Sequence, residues 1–182
     1  MAASDPQRRI VKPSAEGAYE DASGRRAPID CLSGPALAER LDEEISRAAR
    51  HGTPLSCLLI FIENLPELAS LHGHELSEQA LAYAGPVLMR ELRRFDRVGR
   101  PSESELLIVL PGADGPRGEM VARRVIDRLR AIKIESDGVR RSLRISVGLA
   151  AWREDLSAEQ MLAQTRSAAR RERNGLAGRS GP

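Results

Sequence analysis

The chain has 182 residues, of which 41% are hydrophobic and 30% are charged, and its formal net charge is +2. This length supports a single hydrophobic core and leaves no room for a second domain of ordinary size. The mixed signs of the charged residues argue against a nucleic-acid-binding patch, and an aromatic content of 3% argues against a stacking platform for single strands.

The number and spacing of the cysteines, together with the hydropathy of the chain, indicate in which cellular compartment the protein is expected. Cys31 and Cys57 have neither the spacing of metal ligands nor the density found in secreted disulfide-rich domains. The longest apolar run, around residues 58–62, is far shorter than a membrane span, and the N-terminus has no apolar signal-peptide region. We therefore expect a cytoplasmic protein with no direct membrane insertion.

Three segments are predicted along the chain. Residues 1–29 mix basic residues with Ser, Ala, Gly and Pro and show no sustained periodicity, which predicts a disordered N-terminal tail. Residues 30–175 alternate helical and strand patterns and are expected to form one domain of the α/β (α+β) class. Residues 176–182 are expected to be a flexible C-terminal tail.

The folded part begins with a helix and ends with one. In chain order, the predicted elements are a helix over 35–50, a strand over 55–62, helices over 67–72 and 77–94, strands over 96–100 and 105–110, a helix over 117–131, a strand over 143–150 and a helix from 157 to about 173. Between them, residues 135–141 are interpreted as a polar connection.

Local signals refine these elements. The nearly continuous apolar run at 55–62 predicts a buried central strand, whereas alternation at 143–150 predicts a half-buried one. The pair Gly85-Pro86 is expected to kink or split its helix. Ser157, followed by Gln160 three residues later, is a capping box that should open the last helix.

A series of short motifs runs through residues 30–175. In order they are Asp30-Cys31-Leu32-Ser33-Gly34, Glu63-Asn64, His72-Gly73-His74-Glu75, Asp96-Arg97-Val98-Gly99-Arg100, Leu110-Pro111-Gly112 and Ser146-Val147-Gly148-Leu149-Ala150. In this order and spacing they resemble the GGDEF domain of diguanylate cyclases. The resemblance implies a nucleotide-cyclase palm-like fold, with a central five-stranded, mostly antiparallel sheet flanked by helices. It also implies the family's chemistry, in which two facing domains each hold GTP with divalent metal and join the two nucleotides into cyclic di-GMP.

The signature turn departs from the family pattern. Where the family has Gly-Gly-Asp/Glu-Glu-Phe, this chain has, in order, Ser102, Glu103, Ser104, Glu105 and Leu106. Side chains in place of the two glycines keep a ligand away from the backbone, and a serine replaces the metal-holding acid at the third position. The other metal-holding Asp of the family corresponds to Phe61, which offers no oxygen to a hard cation.

The positions that hold GTP in the family also differ. Pro66, Ala69 and Ser70 stand where the family usually has Lys, Asn and Asp. Glu78 stands where an Asp is usual, so one guanine contact is expected to survive, and Arg173 replaces a phosphate-binding Lys. We therefore expect no cyclase activity, no catalytic residues, no bound metal and no cofactor.

One family motif is kept. Arg93 and Asp96 form an Arg-x-x-Asp motif at the spacing, ahead of the signature turn, where the family places its inhibitory product-binding site. Counting from the turn, Arg124 corresponds to a further arginine of that site. A planar guanidinium suits bidentate contact with guanine and phosphate. The same residues also fit a purely structural interpretation, because the chain is rich in arginine and Arg124, beside Arg123, fits a solvated helix face.

Two hypotheses about function follow. The first is a catalytically inactive domain that acts as a cyclic di-GMP receptor through Arg93, Asp96 and Arg124. The alternative is an interaction scaffold that binds no nucleotide and pairs with an active cyclase or another signalling protein. The expected partners are thus cyclic di-GMP and a second GGDEF or signalling domain, as a homodimer or heterodimer, with no nucleic acid.

Overall fold

The computed structural model of the chain describes residues 9–11, 32, 34–136 and 138–177. Its helices are α1 (Gly34–His51), α2 (Leu65–His72), α3 (His74–Glu91), α4 (Gly115–Arg130) and α5 (Ala158–Ala177). Its strands are β1 (Arg9–Val11), β2 (Leu55–Ile62), β3 (Arg97–Ser102), β4 (Glu105–Pro111), β5 (Lys133–Ser136), β6 (Val139–Ser142) and β7 (Ile145–Ala151).

The central sheet has the strand order β3-β4-β2-β7, and all of its strand pairs are antiparallel. The expected mostly antiparallel sheet flanked by helices is confirmed, but the expected fifth strand is not among the described residues. Beside the edge strand β3, the single residue Leu32 forms a parallel bridge with Gly99. The Leu32 N–H donates to the Val98 carbonyl at 3.0 Å, and the Arg100 N–H donates to the Leu32 carbonyl at 3.1 Å.

Strand β2 lies in the middle of this sheet and divides the core into two halves. Leu58 and Ile60 belong to the larger half, which packs under α2, α3 and α4. Cys57 and Leu59 point to the opposite face and belong to the half under α1 and α5. Because both faces are covered, β2 is apolar without alternation, and the predicted bounds of this strand are confirmed.

Helix α3 runs unbroken through Pro86, so of the predicted kink or split at Gly85-Pro86 the split is wrong, and the kink stays a prediction. The inner face of the helix explains its continuity. Ala84 and Leu88, on either side of the proline, are fully buried in the larger half of the core. Their packing compensates for the backbone hydrogen bond that a proline removes.

Strand β7 is covered on both faces, so the prediction of a half-buried strand is wrong. Helix α5 packs closely over the face that carries Ser146 and Gly148. A Cβ atom at Gly148 would lie 2.0 Å from the Thr165 carbonyl oxygen and 2.5 Å from the Ala169 nitrogen. Glycine is therefore required at this position, because any side chain would push the helix off the sheet.

Helix α5 begins as the sequence predicts and continues further. The Gln160 N–H donates to Ser157 Oγ at 3.2 Å, and the Ser157 N–H donates to Gln160 Oε1 at 2.9 Å, which confirms the capping box. The helix extends to Ala177, four residues beyond its predicted end.

The polar connection predicted at 135–141 is instead the hairpin β5–β6, which turns at Gly138 with φ of 72°. Its exposed polar side chains hid the strand pattern. Strand β1 pairs with the other side of β5 and completes a separate three-stranded sheet. The rest of the tail predicted at 1–29, and residues 178–182 of the predicted C-terminal tail, lie outside the described residues. No helix in the described part of the chain has the length and apolarity needed to cross a bilayer.

Candidate functional site

Arg93 and Asp96 close a tight turn between α3 and β3. The Asp96 carboxylate Oδ2 accepts from the Arg93 N–H at 2.7 Å, and the Asp96 N–H donates to the Arg93 carbonyl at 3.0 Å. These bonds use the backbone of Arg93 and leave its guanidinium exposed. The turn therefore fixes the carboxylate and presents the guanidinium beside it.

Burial and three nearby arginines act in opposite directions on the Asp96 carboxyl. Partial burial raises the pKa of the Asp96 carboxyl above its usual value, while the Arg93 N–H and the charges of Arg93, Arg97 and Arg124 lower it in part. Arg124 lies on α4, so its influence on Asp96 reflects the packing of α4 beside the turn. The three residues singled out from the sequence thus form one electrostatic group.

Arg124 is held by Glu91, the last residue of α3. Arg124 Nη2 donates to the Glu91 carbonyl at 3.1 Å, and its Nε lies 3.7 Å from Glu91 Oε2. Arg128, one turn further along α4, places its Nε 3.0 Å from Glu91 Oε1. The neighbour Arg123 turns away, with its side chain 80% exposed and paired only with Glu119 on its own helix. Arg124 therefore reaches towards α3 and the turn, although its side chain is still 53% exposed.

Sequence analysis missed Glu91. It lies two residues before Arg93. The one hint in the sequence was indirect: Arg124 and Arg128 are four residues apart, so they lie on one face of α4 and could share an acidic partner. The pairing across 33 residues depends on how α3 and α4 pack together.

The turn that the sequence analysis matched to the family signature, at residues 102–106, closes the hairpin of β3 and β4. Ser102 pairs with Glu105 across the hairpin, and the Ser104 carbonyl accepts from the Ile62 N–H at 2.9 Å, which joins the turn to the end of β2. Leu106 is fully buried in the larger half of the core. Glu103 is exposed at the tip of the turn.

Glu78, expected to keep a guanine contact, is engaged by Arg100. The two arginine nitrogens lie 2.8 and 3.3 Å from the two Glu78 carboxylate oxygens, and a further bond of 3.1 Å joins Arg100 to the Glu103 carbonyl. The hydrogen bond from Arg100 lowers the pKa of Glu78 below its usual value. The space beside this pair, lined in part by Pro66 and Ala69, is a cavity of only about 40 Å³.

A larger cleft, of about 160 Å³, lies where β2 ends under α5. Its charged and aromatic lining consists of Phe61, Glu105, Arg166, Arg170 and Arg173. The Arg173 guanidinium carbon lies 5.4 Å from the centre of the Phe61 ring, within the range of a cation–π contact. Arg166 and Arg170 were not singled out from the sequence, although their spacing from Arg173 along a helix was visible.

The described residues include no group of three or more His, Cys, Asp or Glu side chains that could hold a metal ion. Phe61 and Ser104 bring no carboxylate to the end of β2. The nearby Glu63 is engaged, since its Oε1 accepts from the Ser146 hydroxyl at 2.5 Å.

Comparison with known proteins places this geometry in a family. The family model described as "Diguanylate cyclase, GGDEF domain" matches residues 35–179. Diguanylate cyclase DosC of Escherichia coli K12 is 29% identical over 140 residues, which are 72% of this chain and 30% of DosC. The chain spans less than a third of the length of the first curated relatives that it matches.

Solved structures share the fold. Diguanylate cyclase SiaD of Pseudomonas aeruginosa, solved with its activator SiaC, superposes with a TM-score of 0.76 at 25% identity, over 85% of this chain and 59% of SiaD. The GGDEF domain of DgcB from Caulobacter crescentus, solved in complex with c-di-GMP, has a TM-score of 0.76 at 15% identity, over 87% of this chain and 94% of that one. At this low identity the likeness to DgcB concerns the fold alone.

Proposed function

Because the chain belongs to the GGDEF family of diguanylate cyclase domains, we propose that it is a cyclic di-GMP receptor without cyclase activity. The observation that carries the proposal is the group formed by Arg93, Asp96 and Arg124: the Arg93 N–H donates to Asp96 Oδ2 at 2.7 Å, and Arg124 is held beside the turn by the Glu91 carbonyl at 3.1 Å. Binding of c-di-GMP in the solved complex is a property of DgcB, and the residues of this chain support the proposal independently.

Cyclic di-GMP offers two guanines and two phosphodiesters, and the group provides partners for both. The exposed Arg93 guanidinium is a planar fork of donors that suits guanine O6 and N7 or a phosphate. Asp96 Oδ2 is occupied by the Arg93 N–H, which leaves Oδ1 to accept from the guanine N1 and N2 donors. Arg124 supplies a second cation for a phosphate.

Ligand binding requires Arg124 to exchange Glu91 for a phosphate. The cost of this exchange is small, because the Arg124 side chain is 53% exposed and exposed ion pairs contribute about 0–1 kcal/mol. Glu91 keeps Arg128 as its partner at 3.0 Å. The ion pair therefore holds Arg124 beside the turn without trapping it.

Residues at the other end of the sheet, near the end of β2 and the β3–β4 turn, do not support cyclase activity. Joining two GTP molecules requires metal-held phosphates and an open base pocket. Here Phe61 and Ser104 provide no metal ligand, and Arg100 occupies the carboxylate of Glu78. The domain binds the family's product and does not make it.

The experiment is a calorimetric titration of the chain with cyclic di-GMP, for wild type, Arg124→Ala and the matched control Arg123→Ala. We expect Arg124→Ala to weaken binding about tenfold to a hundredfold, as for loss of a charge-assisted contact of about 1.5–3 kcal/mol. Arg123→Ala should bind like wild type. Equal weakening by both variants would remove the receptor proposal.

The interaction scaffold remains the second candidate, and one observation favours it. Phe95 lies in the same turn as Asp96, is 68% exposed and borders a groove with Arg47 and Arg97. An exposed aromatic side chain of this kind is typical of interface anchors. If the wild-type chain binds no cyclic di-GMP but forms a dimer that Phe95→Ala abolishes, the scaffold hypothesis replaces the receptor.

A further inference from the structure

We propose that Arg128 is a positioning residue for the site formed by Arg93, Asp96 and Arg124. It binds the carboxylate of Glu91 and thereby keeps Arg124 free to bind an anionic ligand. This role rests on the proposed receptor function and explains how the affinity of that site is set. Arg128 acts through Glu91 and is not itself a ligand contact.

Glu91 acts on Arg124 in two ways, which have opposite consequences for a ligand. Its backbone carbonyl accepts from Arg124 Nη2 at 3.1 Å, and its carboxylate Oε2 lies 3.7 Å from Arg124 Nε. The carbonyl is neutral and belongs to the end of α3, so it orients the guanidinium without cancelling its charge. The carboxylate carries a full negative charge, so it competes with a phosphate for the same cation.

Arg128 holds this carboxylate more closely than Arg124 does. Its Nε donates to Glu91 Oε1 at 3.0 Å, a hydrogen-bond distance, whereas the 3.7 Å between Glu91 Oε2 and Arg124 Nε is too long for one. The Glu91 side chain is only 17% exposed, so water screens these charges less than on an open surface. Without Arg128, the carboxylate would turn to Arg124 and bind it more strongly.

The geometry of the two helices lets one carboxylate serve both arginines. Arg124 and Arg128 lie one turn apart on the same face of α4, opposite the end of α3. A carboxylate at the C-terminal end of a helix is disfavoured by the helix dipole, and a mostly buried one needs a cationic partner. When a ligand takes Arg124, Arg128 still neutralises Glu91. The second arginine therefore lowers the cost of releasing the first.

The test is a double-mutant cycle, in which the affinity for cyclic di-GMP is measured by titration calorimetry. We expect Arg128→Ala to weaken binding about fivefold, the upper end of the range for exposed ion pairs. Glu91→Gln should tighten binding by a similar factor, because the backbone carbonyl still orients Arg124 while the competing charge is gone. In the Glu91→Gln background, Arg128→Ala should change the affinity little, because there is no carboxylate left to release.

Two further variants separate this role from a general loss of positive charge. Arg123→Ala removes an arginine of the same helix that is also paired with an acid, Glu119, at 3.8 Å, and it should bind like wild type. Arg128→Lys keeps a cation beside Glu91 and should restore most of the affinity that Arg128→Ala loses. Thermal melts of each variant show whether the fold is kept.

The outcomes distinguish this inference from the receptor proposal. The inference is overturned, and the receptor proposal kept, if wild type binds in a manner that Arg93→Ala weakens but Arg128→Ala binds like wild type. Weaker binding by Glu91→Gln, or an equal effect of Arg128→Ala with and without the Glu91 carboxylate, would also overturn it alone. Failure of wild type to bind cyclic di-GMP at micromolar concentration would overturn both.

Discussion

Arg100 binds both carboxylate oxygens of Glu78, with nitrogen–oxygen distances of 2.8 and 3.3 Å. The two residues come from β3 and α3, so the ion pair joins the β3–β4 hairpin to the helix layer. Glu78, which the family resemblance assigns to a guanine contact, is thus engaged within the fold of this chain. On our proposal, this pair and the Phe61–Arg173 contact replace ligands that an active cyclase would bind.

The Glu78–Arg100 pair predicts a pH-dependent contribution to stability. A carboxyl whose pKa is lowered by folding stabilises the folded state above its unfolded value, near 4.5, and this contribution is lost as the pH falls through the folded-state pKa. Glu78→Gln should therefore lower the free energy of unfolding at pH 7, and by a smaller amount at about pH 3. The difference should be at most about 1 kcal/mol, because Glu78 is 45% exposed.

Denaturant unfolding at the two pH values measures this effect. Glu75→Gln, on the same helix, controls for the loss of one negative charge without the arginine contact. A Glu78→Gln difference that persists unchanged at pH 3 would show that the ion pair is not its cause.

Asp96, whose pKa is shifted in the opposite direction to that of Glu78, predicts a pH dependence of ligand affinity. Burial raises the pKa of this carboxyl above 3.8, so protonation begins at a higher pH than for an ordinary aspartate. Protonated Asp96 carries no charge and has lost acceptor capacity, so we expect the affinity for cyclic di-GMP to fall as the pH is lowered towards that range. Calorimetry across this pH range should show the decline in wild type and a flatter profile, at lower affinity, in Asp96→Asn.

Gly148→Ala should destabilise the fold by about 1–3 kcal/mol or more, the range for overpacking, because its Cβ would meet helix backbone that cannot rotate away. Gly175→Ala is the control, since a Cβ there meets nothing within 4 Å. That change in α5 should stabilise the chain by about 0.5–1 kcal/mol. Chemical unfolding compares the free energies of unfolding of the two variants. If Gly148→Ala left the free energy of unfolding unchanged, this would contradict the close approach of α5 to β7.

Rebuilding the signature turn alone should not create a cyclase. The quadruple variant Ser102→Gly, Glu103→Gly, Ser104→Asp and Leu106→Phe restores the motif but leaves Phe61 in place and Ala69 and Arg100 in the base pocket. Incubation of the variant, and of wild type, with GTP and Mg²⁺ or Mn²⁺ should yield no cyclic di-GMP by chromatography. Product above a no-enzyme control would show that the turn by itself limits activity.

Local signals in the sequence predicted those features that depend on neighbouring residues. The bounds of β2 follow from one continuous apolar run, and the start of α5 follows from the reciprocal bonds of Ser157 and Gln160. The Arg93–Asp96 turn was not predicted, because Arg93 was assigned to a helix over 77–94, which ends at Glu91 in the structure.

Features that join distant residues were not predictable in this way. Glu78 and Arg100 are 22 residues apart, and Glu91 and Arg124 are 33 apart, so only the packing of helices on the sheet brings them together. The need for glycine at position 148 likewise depends on the packing of the next helix, whose Thr165 and Ala169 lie 17 and 21 residues further along the chain. Exposed polar side chains concealed β6, because a strand with no buried face lacks the alternating pattern.

The central claim is that the Arg93 guanidinium binds cyclic di-GMP. The most direct measurement compares the affinities of Arg93→Ala and Arg94→Ala for this ligand by titration calorimetry. Thermal melts of both variants show whether the fold is kept. Arg94 is an adjacent exposed arginine outside the motif, whereas Arg97 is a poorer control because its guanidinium bonds the Arg94 and Asp96 carbonyls at 2.9 and 3.1 Å. We predict micromolar or tighter binding by wild type and Arg94→Ala, and binding weakened about tenfold to a hundredfold in Arg93→Ala at unchanged melting temperature. Failure of wild type to bind at micromolar concentration, or equal weakening by the two variants, would contradict the account.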